Sequence, residues 1–243
     1  MDSSPVILVT AGSAGLGATV AESFAQSNYR VVINYNSNTD RAEQLRSRLL
    51  SQKGVLATDD NTGKCICIRA DLGVQEDVQK LVQQTHDAMG RIDVVFSNGG
   101  WSRFSDKTSI DDNSVEGDWD RAFNMNVKSH LWLLLATKPW LDETEGSFIS
   151  TASIAGIQGM GSSLAYGVTK AAQIHMIKAL AGMVGPRIRV NSISPGLLLT
   201  DWATRFTHEQ KTAHREQTKL KRFVRLEDVA QQVLLLAKSK SMT

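Results

Sequence analysis

Short apolar runs alternate with longer stretches of helical periodicity along almost the whole chain. The runs have the length of buried strands, and the apolar positions between them recur every three or four residues, as on the face of a helix. This alternation predicts an α/β fold, with a doubly wound parallel sheet and helices on both faces. The predicted strands lie at residues 6–9, 31–35, 65–69, 92–97, 147–151 and 188–193.

Length and composition are those of an ordinary globular protein. The 243 residues suit one domain spanning 1–243, with 42% hydrophobic and 21% charged residues. The net charge of +2 is too small to indicate a nucleic-acid partner. The longest uncharged stretch, 146–169, is rich in Gly and Ser, so no membrane span is expected. Because the first strand begins at residue 6, no room is left for a targeting peptide, and a cytoplasmic protein is expected.

Neither a metal site nor a disulfide is expected. Cys65 and Cys67 alternate along one predicted strand, so their Cα atoms would lie about 7 Å apart, beyond the usual disulfide range. Two turn-rich segments, 53–63 and 102–117, carry acidic clusters without the ligand spacing of a calcium-binding loop. The cysteines are therefore predicted to pack in the core.

Residues suited to binding a ligand follow several of the predicted strands. Gly12, Asn98, Ser153 and Pro195 each follow a different strand. Because the carboxyl ends of parallel strands meet at one edge of a sheet, these residues predict a single ligand cleft there.

A turn rich in glycine joins the first strand to the first helix. Gly12, Gly15 and Gly17 permit close approach of a ligand to the backbone, and the amides that open the helix suit an anion such as pyrophosphate. The spacing is not G-x-G-x-x-G, and a glycine turn between strand and helix also occurs without a nucleotide.

Tyr166 and Lys170 lie about one helical turn apart, so the phenol and the ammonium share a face. A nearby cation is expected to lower the pKa of the phenol, which would suit Tyr166 for proton transfer. Ser153 precedes this helix, and its hydroxyl can hydrogen-bond the oxygen that Tyr166 protonates. Taken singly, the Tyr/Lys pair is also typical of a solvated helix surface, and the serine of a turn after a strand.

Together these residues resemble the short-chain dehydrogenase/reductase family, and within it the ketoreductases similar to 3-oxoacyl-carrier-protein reductase. The family carries T-G-x-x-x-G-x-G near its N-terminus and a serine thirteen positions before Y-x-x-x-K, as Ser153 stands before Tyr166. The resemblance spans nearly the whole chain and implies a single Rossmann-fold catalytic domain. Further segments that look like family signposts are Asp71-Leu72, Ser97-Asn98-Gly99-Gly100, Asn124-Met125-Asn126-Val127, and Pro195-Gly196 with Thr200.

The resemblance implies a nicotinamide-dependent carbonyl reductase or alcohol dehydrogenase. Tyr166 would donate the proton, and Ser153 would orient the carbonyl oxygen. Lys170 would hold the nicotinamide ribose and tune Tyr166, while Asn126 would anchor a water that relays protons to Lys170. The residues implied to bind the cofactor are Gly12, Ser13, Gly15, Leu16, Gly17, Asn36, Ser37, Asp71, Leu72, Asn98, Gly99, Tyr166, Lys170, Pro195, Gly196 and Thr200.

The end of the second predicted strand favours NADP(H) over NAD(H). It reads Asn34-Tyr35-Asn36-Ser37, without an Asp or Glu to grip a ribose 2′-hydroxyl and repel a 2′-phosphate. Asn36 and Ser37 can donate hydrogen bonds to that phosphate, and Arg41 is near enough to assist.

Two departures from the family pattern are visible. Ala11 occupies the position of the first glycine in the family's turn. Because an alanine is expected to keep φ negative, the turn would be slightly reshaped. Cofactor binding is expected to survive this change. The helical stretch 226–237 comes close to the C-terminus, where family members add a final strand. The absence of that strand would leave a sheet edge unpaired and puts a tetramer built on that edge in doubt.

The substrate is expected to be a small carbonyl or alcohol compound, bulky and apolar or aromatic. Trp101, Met160, Trp202 and Phe206 are candidates for the wall of its pocket, although ordinary packing explains each of them equally well. Residues 197–222 would form a substrate lid, as in the family.

A homo-oligomer is implied as well, with a dimer through helices near 119–137 and 165–183. The first of these helices has an apolar stripe at Phe123, Val127, Leu131 and Leu134 that is also explained by burial in the core. Two other functions stay open: an enzyme of the same fold that catalyses a non-redox isomerisation or cyclisation, and a sensor that binds a dinucleotide without turnover.

Overall fold

Six parallel strands form one sheet in the order β3-β2-β1-β4-β5-β6. The computed structural model describes residues 4–51, 64–159 and 161–243, so the turn-rich segment 53–63 lies outside the described residues. The α/β fold and all six predicted strands are confirmed. The strands are β1 (Val6–Val9), β2 (Arg30–Tyr35), β3 (Cys65–Arg69), β4 (Val94–Ser97), β5 (Ser147–Thr151) and β6 (Arg189–Ile193).

Helices cover both faces of the sheet and return the chain to the start of each next strand. Short 3₁₀ turns lie at Asp111–Asn113 and Asp201–Arg205, and a π turn lies at Asn124–Lys128. The α-helices are α1 (Gly15–Gln26), α2 (Thr39–Ser51), α3 (Gln75–Met89), α4 (Glu116–Phe123), α5 (Ser129–Thr144), α6 (Ala155–Gln158), α7 (Leu164–Val184), α8 (His208–Gln217) and α9 (Leu226–Lys238).

Alternate side chains of each strand enter two separate hydrophobic cores. On one face Ile7 and Val9 of β1 pack with residues of α1 and α9, including Phe24. On the other face Val6 and Leu8 pack with residues of α3, α5 and α7. Burial on both faces explains why a central strand such as β1 is apolar throughout and does not alternate. Complete burial of a side chain as large as Phe24 contributes roughly 1.5–3 kcal/mol.

The helix predicted at 119–137 is longer and less regular than expected. It comprises α4, the π turn and α5, and so runs from Glu116 to Thr144, past Pro139. Of the apolar stripe, Leu134 is fully buried, whereas Phe123, Val127 and Leu131 are only partly buried, so burial in the core does not account for the whole stripe. A π turn holds an extra residue, which changes the phase of the helix face that meets the core. The residues that are fully buried there include Asn126, His130, Leu133, Leu134 and Thr137.

Strand β6 lies at one edge of the sheet in the described part of the chain. The Val190 amide donates to Thr243 Oγ1 at 2.9 Å, and Asn191 Nδ2 donates to the Met242 carbonyl at 3.0 Å. The Arg189 guanidinium donates to the carbonyls of Leu236 and Ala237, both at 2.6 Å. Arg189 thereby satisfies carbonyls at the end of α9 that have no partner within the helix.

Both cysteines lie on β3 as free thiols, as predicted. Cys65 is buried and Cys67 partly buried, and burial raises the pKa of each thiol to about 12. Within residues 4–51, 64–159 and 161–243, His, Cys, Asp and Glu side chains form no group of three or more that could hold a metal ion. None of the helices in these ranges combines the length and hydropathy needed to cross a membrane.

Candidate active site

A cavity of about 600 Å³ opens at the carboxyl ends of the strands. The strand order reverses between β1 and β4, and an α/β sheet forms its ligand crevice at such a point. Segments that follow β1, β4, β5 and β6 all reach this cavity. Its lining includes Gly15, Leu16, Asn98, Gly99, Ser153, Tyr166, Lys170, Pro195, Gly196 and Thr200.

The turn after β1 contains an alanine in the left-handed region, because Ala11 has φ of 47°. The expectation of a negative φ at this position was therefore wrong. The Ala11 amide donates to Asn34 Oδ1 at 3.1 Å, and the Gly12 amide donates to the Asn34 carbonyl at 2.8 Å. These two bonds to β2 hold the backbone in a conformation that costs an alanine about 1–2 kcal/mol.

The glycines of this turn are required by close contacts. A Cβ on Gly17 would lie 2.4 Å from the Ala11 carbonyl oxygen. Gly15 has φ of 51°, and a Cβ there would lie 3.0 Å from Thr200 Cγ2. Ala14, the N-cap of α1, provides no side-chain cap, so the first amides of α1 lack that partner next to the cavity. This cradle suits the pyrophosphate of a dinucleotide.

A chain of hydrogen bonds connects the ends of three strands beneath the cavity. Thr10 Oγ1 donates to the Phe96 carbonyl at 3.3 Å and accepts the Asn98 amide at 2.9 Å. Asn98 Oδ1 in turn accepts Thr151 Oγ1 at 3.0 Å. Sequence reasoning found Asn98 but missed Thr10 and Thr151, as it missed Asn34. The available signal was a polar residue at the end of an otherwise apolar strand.

Ser153 and Tyr166 meet at the cavity. Ser163 caps α7, since its hydroxyl accepts the Tyr166 amide at 3.1 Å, and this fixes the start of the helix. The Ser153 side chain lies near the phenol of Tyr166 and can serve as its hydrogen-bond partner. Burial raises the pKa of Tyr166, and hydrogen bonding to Ser153 opposes that rise. The expectation that Lys170 would lower this pKa was wrong in the structure, where burial is the larger effect.

Lys170 lies on the same face of α7, with Nζ 5.7 Å from the centre of the Tyr166 ring. Only 3% of the lysine is exposed. Its Nζ donates to the Thr151 carbonyl and to Gln173 Oε1, both at 2.8 Å. Burial lowers the pKa of Lys170 to about 7, since the cation loses its hydration. Lys170 can therefore exchange a proton near neutral pH.

Asn126 lies in the π turn and is fully buried. Its Oδ1 accepts the Trp101 amide at 2.7 Å, and its Nδ2 donates to the Trp101 carbonyl and to Thr169 Oγ1, both at 2.9 Å. The side chain thus fastens the segment after β4 to α7. A π turn is common at functional sites because it redirects residues of a helix.

The candidates for the substrate wall do not all lie together. Trp202 and Phe206 line the cavity, and the Trp202 ring is 6.3 Å from that of Tyr166. Trp101 is not among the residues of that lining, and the Arg121 guanidinium lies 4.9 Å from the centre of its ring. Met160 lies outside the described residues.

Other residues near Trp202 and Phe206 complete the wall. Phe104 packs edge-on against Phe206, with ring centres 4.6 Å apart. His214 of α8 also packs edge-on against Phe206, with ring centres 5.5 Å apart, and lines the cavity. Arg205 Nη1 donates to the Ser102 carbonyl at 3.3 Å. The segment 197–222 is therefore held against the loop that follows β4.

The residues predicted to bind the adenosine half are spread along the edge of the cleft. Asn36 and Ser37 are exposed after the end of β2, and Ser13 in the glycine turn is partly buried. All three lie outside the lining of the cavity. Asp71 Oδ1 accepts the Gly73 amide at 2.8 Å, and Leu72 is 8% exposed beside Gly99.

Arg41 reaches the cavity from α2. Its Nη1 lies 2.8 Å from Asp201 Oδ2, in an ion pair that spans the cleft between α2 and the start of segment 197–222.

Comparison with known proteins agrees with this geometry. The family model described as "Enoyl-(Acyl carrier protein) reductase" matches residues 10–243. The chain belongs to the short-chain dehydrogenase/reductase family. It is 32% identical to "Granaticin polyketide synthase putative ketoacyl reductase 2" of Streptomyces violaceoruber, over 98% of this chain and 92% of that protein.

Two further comparisons support membership of the short-chain dehydrogenase/reductase family. The 3-oxoacyl-(acyl-carrier-protein) reductase FabG of Staphylococcus epidermidis is 28% identical over 96% of this chain and 91% of its own. A crystal structure of a "putative short-chain dehydrogenase/reductase" from Burkholderia xenovorans superposes with a TM-score of 0.86 at 25% identity, covering 100% of this chain and 95% of that one. The protein is therefore an oxidoreductase that acts on CH-OH or C=O groups.

Proposed function

We propose that this protein is an NADPH-dependent reductase that converts a hydrophobic or aromatic ketone into a secondary alcohol, or catalyses the reverse reaction. One observation carries the proposal: the adjoining side chains of Ser153 and Tyr166 share a cavity with the uncapped N-terminus of α1. The proton donor and the site proposed for the dinucleotide therefore face the same cavity. The relatives named as ketoacyl reductases support this assignment.

The cofactor proposed for the cleft is NADP(H), which supplies or accepts the hydride when bound. The amides that open α1 would hold its pyrophosphate, while Thr200 and the Pro195 segment would flank the nicotinamide. NADP(H) is favoured over NAD(H) because no carboxylate ends β2. The exposed side chains of Asn36 and Ser37 are available to a 2′-phosphate. The guanidinium of Arg41, which pairs with Asp201 in this structure, would exchange that carboxylate for the phosphate.

The protein's own residues would supply the proton and the orientation. Tyr166 protonates the carbonyl oxygen, and Ser153 holds that oxygen by a hydrogen bond. Lys170 returns a proton towards Tyr166, and its pKa of about 7 suits exchange near neutral pH. A positioned acid and an oxyanion donor each contribute roughly 10²–10⁴ in rate. Asn126 holds the loop after β4 in place beside Lys170.

The substrate wall supports an apolar compound. Trp202, Phe206 and Ile154 face the cavity beyond Tyr166, and Phe104 backs Phe206. Residues 197–222 would act as a lid that excludes water, which strengthens electrostatic interactions during hydride transfer. Limited proteolysis tests the lid: cleavage within 197–222 should slow when NADPH and a substrate analogue are bound. Equal cleavage with and without ligand would remove the lid from the mechanism.

The reaction itself is tested with purified protein, NADPH and two ketones, the bicyclic aromatic 2-tetralone and the small polar hydroxyacetone. We expect stoichiometric loss of the reduced nicotinamide's near-ultraviolet absorbance and formation of tetralol, with higher kcat/KM for 2-tetralone. Product formed without loss of NADPH would indicate a non-redox enzyme of this fold. Nucleotide binding without turnover across a panel of ketones and alcohols would indicate a sensor.

Cofactor preference is tested by comparing NADPH and NADH as reductants. We expect higher kcat/KM with NADPH, and we expect Arg41→Ala to weaken binding of NADPH more than of NADH, measured by fluorescence titration. Arg48→Ala is the matched control, because Arg48 lies on the same helix and pairs with Glu22 instead of facing the cavity. A preference for NADH, or equal losses in both variants, would contradict NADP(H) as the cofactor.

A homodimer through α4, α5 and α7 belongs to the same proposal. Three apolar side chains on α5 and α7 are exposed: Leu135 (56%), Val168 (38%) and Met183 (76%). Light scattering after gel filtration should give twice the mass of 26.6 kDa, and charged substitutions at Leu135 and Met183 should give the monomer mass. A monomer from the unaltered chain would refute this interface.

A further inference from the structure

A cluster of polar side chains is buried behind Lys170, between the sheet and helices α5 and α7. Its members are His130, Gln173, Ser97 and Ser150, none of them more than 2% exposed. Such groups destabilise a core unless each finds a partner, and an apolar set of similar size would pack there without that requirement. The cluster meets the proposed site at Gln173, whose Oε1 accepts Lys170 Nζ at 2.8 Å.

The orientation of the Gln173 amide is fixed on both sides. The Lys170 ammonium can only donate, so the amide oxygen must face it. The amide nitrogen then points at three acceptors: Ser150 Oγ at 2.5 Å, His130 Nε2 at 3.1 Å and the Thr151 carbonyl at 3.2 Å.

His130 is held in turn by two hydroxyls. Its Nδ1 lies 2.6 Å from Ser97 Oγ and 3.3 Å from Ser150 Oγ. Burial lowers the pKa of His130 to about 3, so the ring is neutral at physiological pH and Nε2 can accept the amide proton.

We propose that Gln173 is a positioning residue for the carbonyl reduction proposed above: its amide oxygen stabilises the Lys170 ammonium, and His130 and Ser150 keep that oxygen turned towards Lys170. The inference rests on the proposed function. Gln173 does not touch the cavity and acts only through Lys170. Loss of the acceptor destabilises the charged form of Lys170, whereas a carboxylate in its place stabilises that form.

The surroundings of Lys170 contain few other groups that could shift its proton affinity. On its own helix the titratable neighbour is Tyr166, and on α5 it is His130, which is neutral. The facing groups from β5, the loop after β4 and the π turn are Thr151, Gly100 and Asn126, which do not titrate. A substitution at residue 173 should therefore act mainly on the pKa of Lys170.

The test compares Gln173→Met, which removes the acceptor, with Gln173→Glu, which introduces a carboxylate. Reduction that needs protonated Lys170 is lost as pH rises through the pKa of this lysine. We expect the alkaline limb of the kcat/KM profile to move down by about one pH unit in Gln173→Met and up by about one in Gln173→Glu. Thr137→Val is the control, because Thr137 is a buried hydroxyl on α5 that bonds only its own helix.

A second readout does not depend on turnover. Protein with isotope-labelled lysine side chains is titrated by NMR, and the Lys170 signal is assigned by its loss in Lys170→Met. Its apparent pKa should shift in the same two directions as the kinetic limb. If no ketone is reduced but these shifts occur, the proposed function fails and the role of Gln173 towards Lys170 stands.

Opposite shifts in the two variants are the signature, since a merely structural change lowers activity at every pH without moving the limb. The proposal would be overturned if the apparent pKa of Lys170 were unchanged in both Gln173 variants. It would also be overturned if the pKa shifts in these variants equalled the shift in Thr137→Val.

If Gln173→Met does not fold, Ser150→Ala replaces it in the test. Loss of that hydroxyl loosens the amide, so the limb should move down by a smaller amount, and an unmoved limb would count against the proposal.

Discussion

Replacing Ala11 by glycine should stabilise the protein. Ala11 has φ of 47°, a conformation that costs an L-residue about 1–2 kcal/mol and costs glycine almost nothing. The side chain is exposed, so its removal sacrifices little packing. Glycine gains extra freedom in the unfolded chain, which offsets about 0.4–1 kcal/mol of the benefit. The net expectation is a gain of about 0.5–1 kcal/mol in the free energy of unfolding.

Urea unfolding measures this gain as a higher midpoint at an unchanged m-value. Thermal unfolding should show a rise of roughly 1–4 °C for a chain of this size. The hydrogen bonds from the Ala11 and Gly12 amides to Asn34 should persist, because they involve only the backbone of the turn. NADPH affinity is therefore expected to change little.

Ala11→Val is the matched control at the same position. A β-branched residue tolerates a positive φ worse than alanine, so this variant should lose stability where Ala11→Gly gains it. An Ala11→Gly midpoint equal to or below that of the unaltered protein would refute the argument, since it would mean that the turn carries no relievable backbone strain.

Three other substitutions test the catalytic residues and the glycine turn that leads into α1. Tyr166→Phe should reduce kcat by roughly 10²–10⁴ and leave NADPH affinity nearly unchanged; near-normal kcat would exclude Tyr166 as the proton donor. Burial lowers the pKa of Lys170 from 10.5 to about 7 in the folded protein, so the unfolded chain binds more protons between these values and the free energy of unfolding rises with pH across that window. Urea unfolding at several pH values should show this rise in the free energy of unfolding for the unaltered protein and not for Lys170→Met. An equal pH dependence in both proteins would contradict a pKa of Lys170 that burial has lowered. Gly17→Ala should lower the melting temperature and abolish NADPH binding, because its Cβ would lie 2.4 Å from a backbone oxygen, whereas Gly182→Ala has open space on α7 and should be neutral or stabilising.

The fold could be predicted from the sequence because strands buried on both faces are largely apolar. Runs such as Val6–Val9 are short, uniform and separated by helical periodicity, which leaves few alternatives. Their carboxyl ends necessarily share one edge of a parallel sheet. Placing Gly12, Asn98 and Ser153 around one cleft therefore needed no knowledge of side-chain packing.

What the sequence did not disclose depends on burial and on local backbone geometry. The long helix contains a π turn, and His130, a polar residue that an apolar pattern does not mark, lies in the core. The burial of Lys170 and of Tyr166, and with it the direction of the pKa shift of each, follows from how α7 packs in the fold.

Backbone conformation and the path of the loops were equally hidden. The positive φ of Ala11 results from its bonds to Asn34 across the sheet. The position of Trp101 depends on the path of the loop after β4, which Asn126 fixes through contacts distant in sequence. Such contacts leave no periodic signal.

The strand order has a consequence for biosynthesis. β1 pairs with β2 on one side and with β4 on the other, through Leu8↔Val32 and Leu8↔Val95. A chain leaving the ribosome can assemble β1, β2 and β3 early, but the second edge of β1 finds no partner until β4 has emerged. At about 5–20 residues per second this leaves an apolar strand edge open for several seconds. Nascent chains that stall in this interval present a template for aberrant strand pairing, so the first half of the molecule is where chaperone protection is most needed.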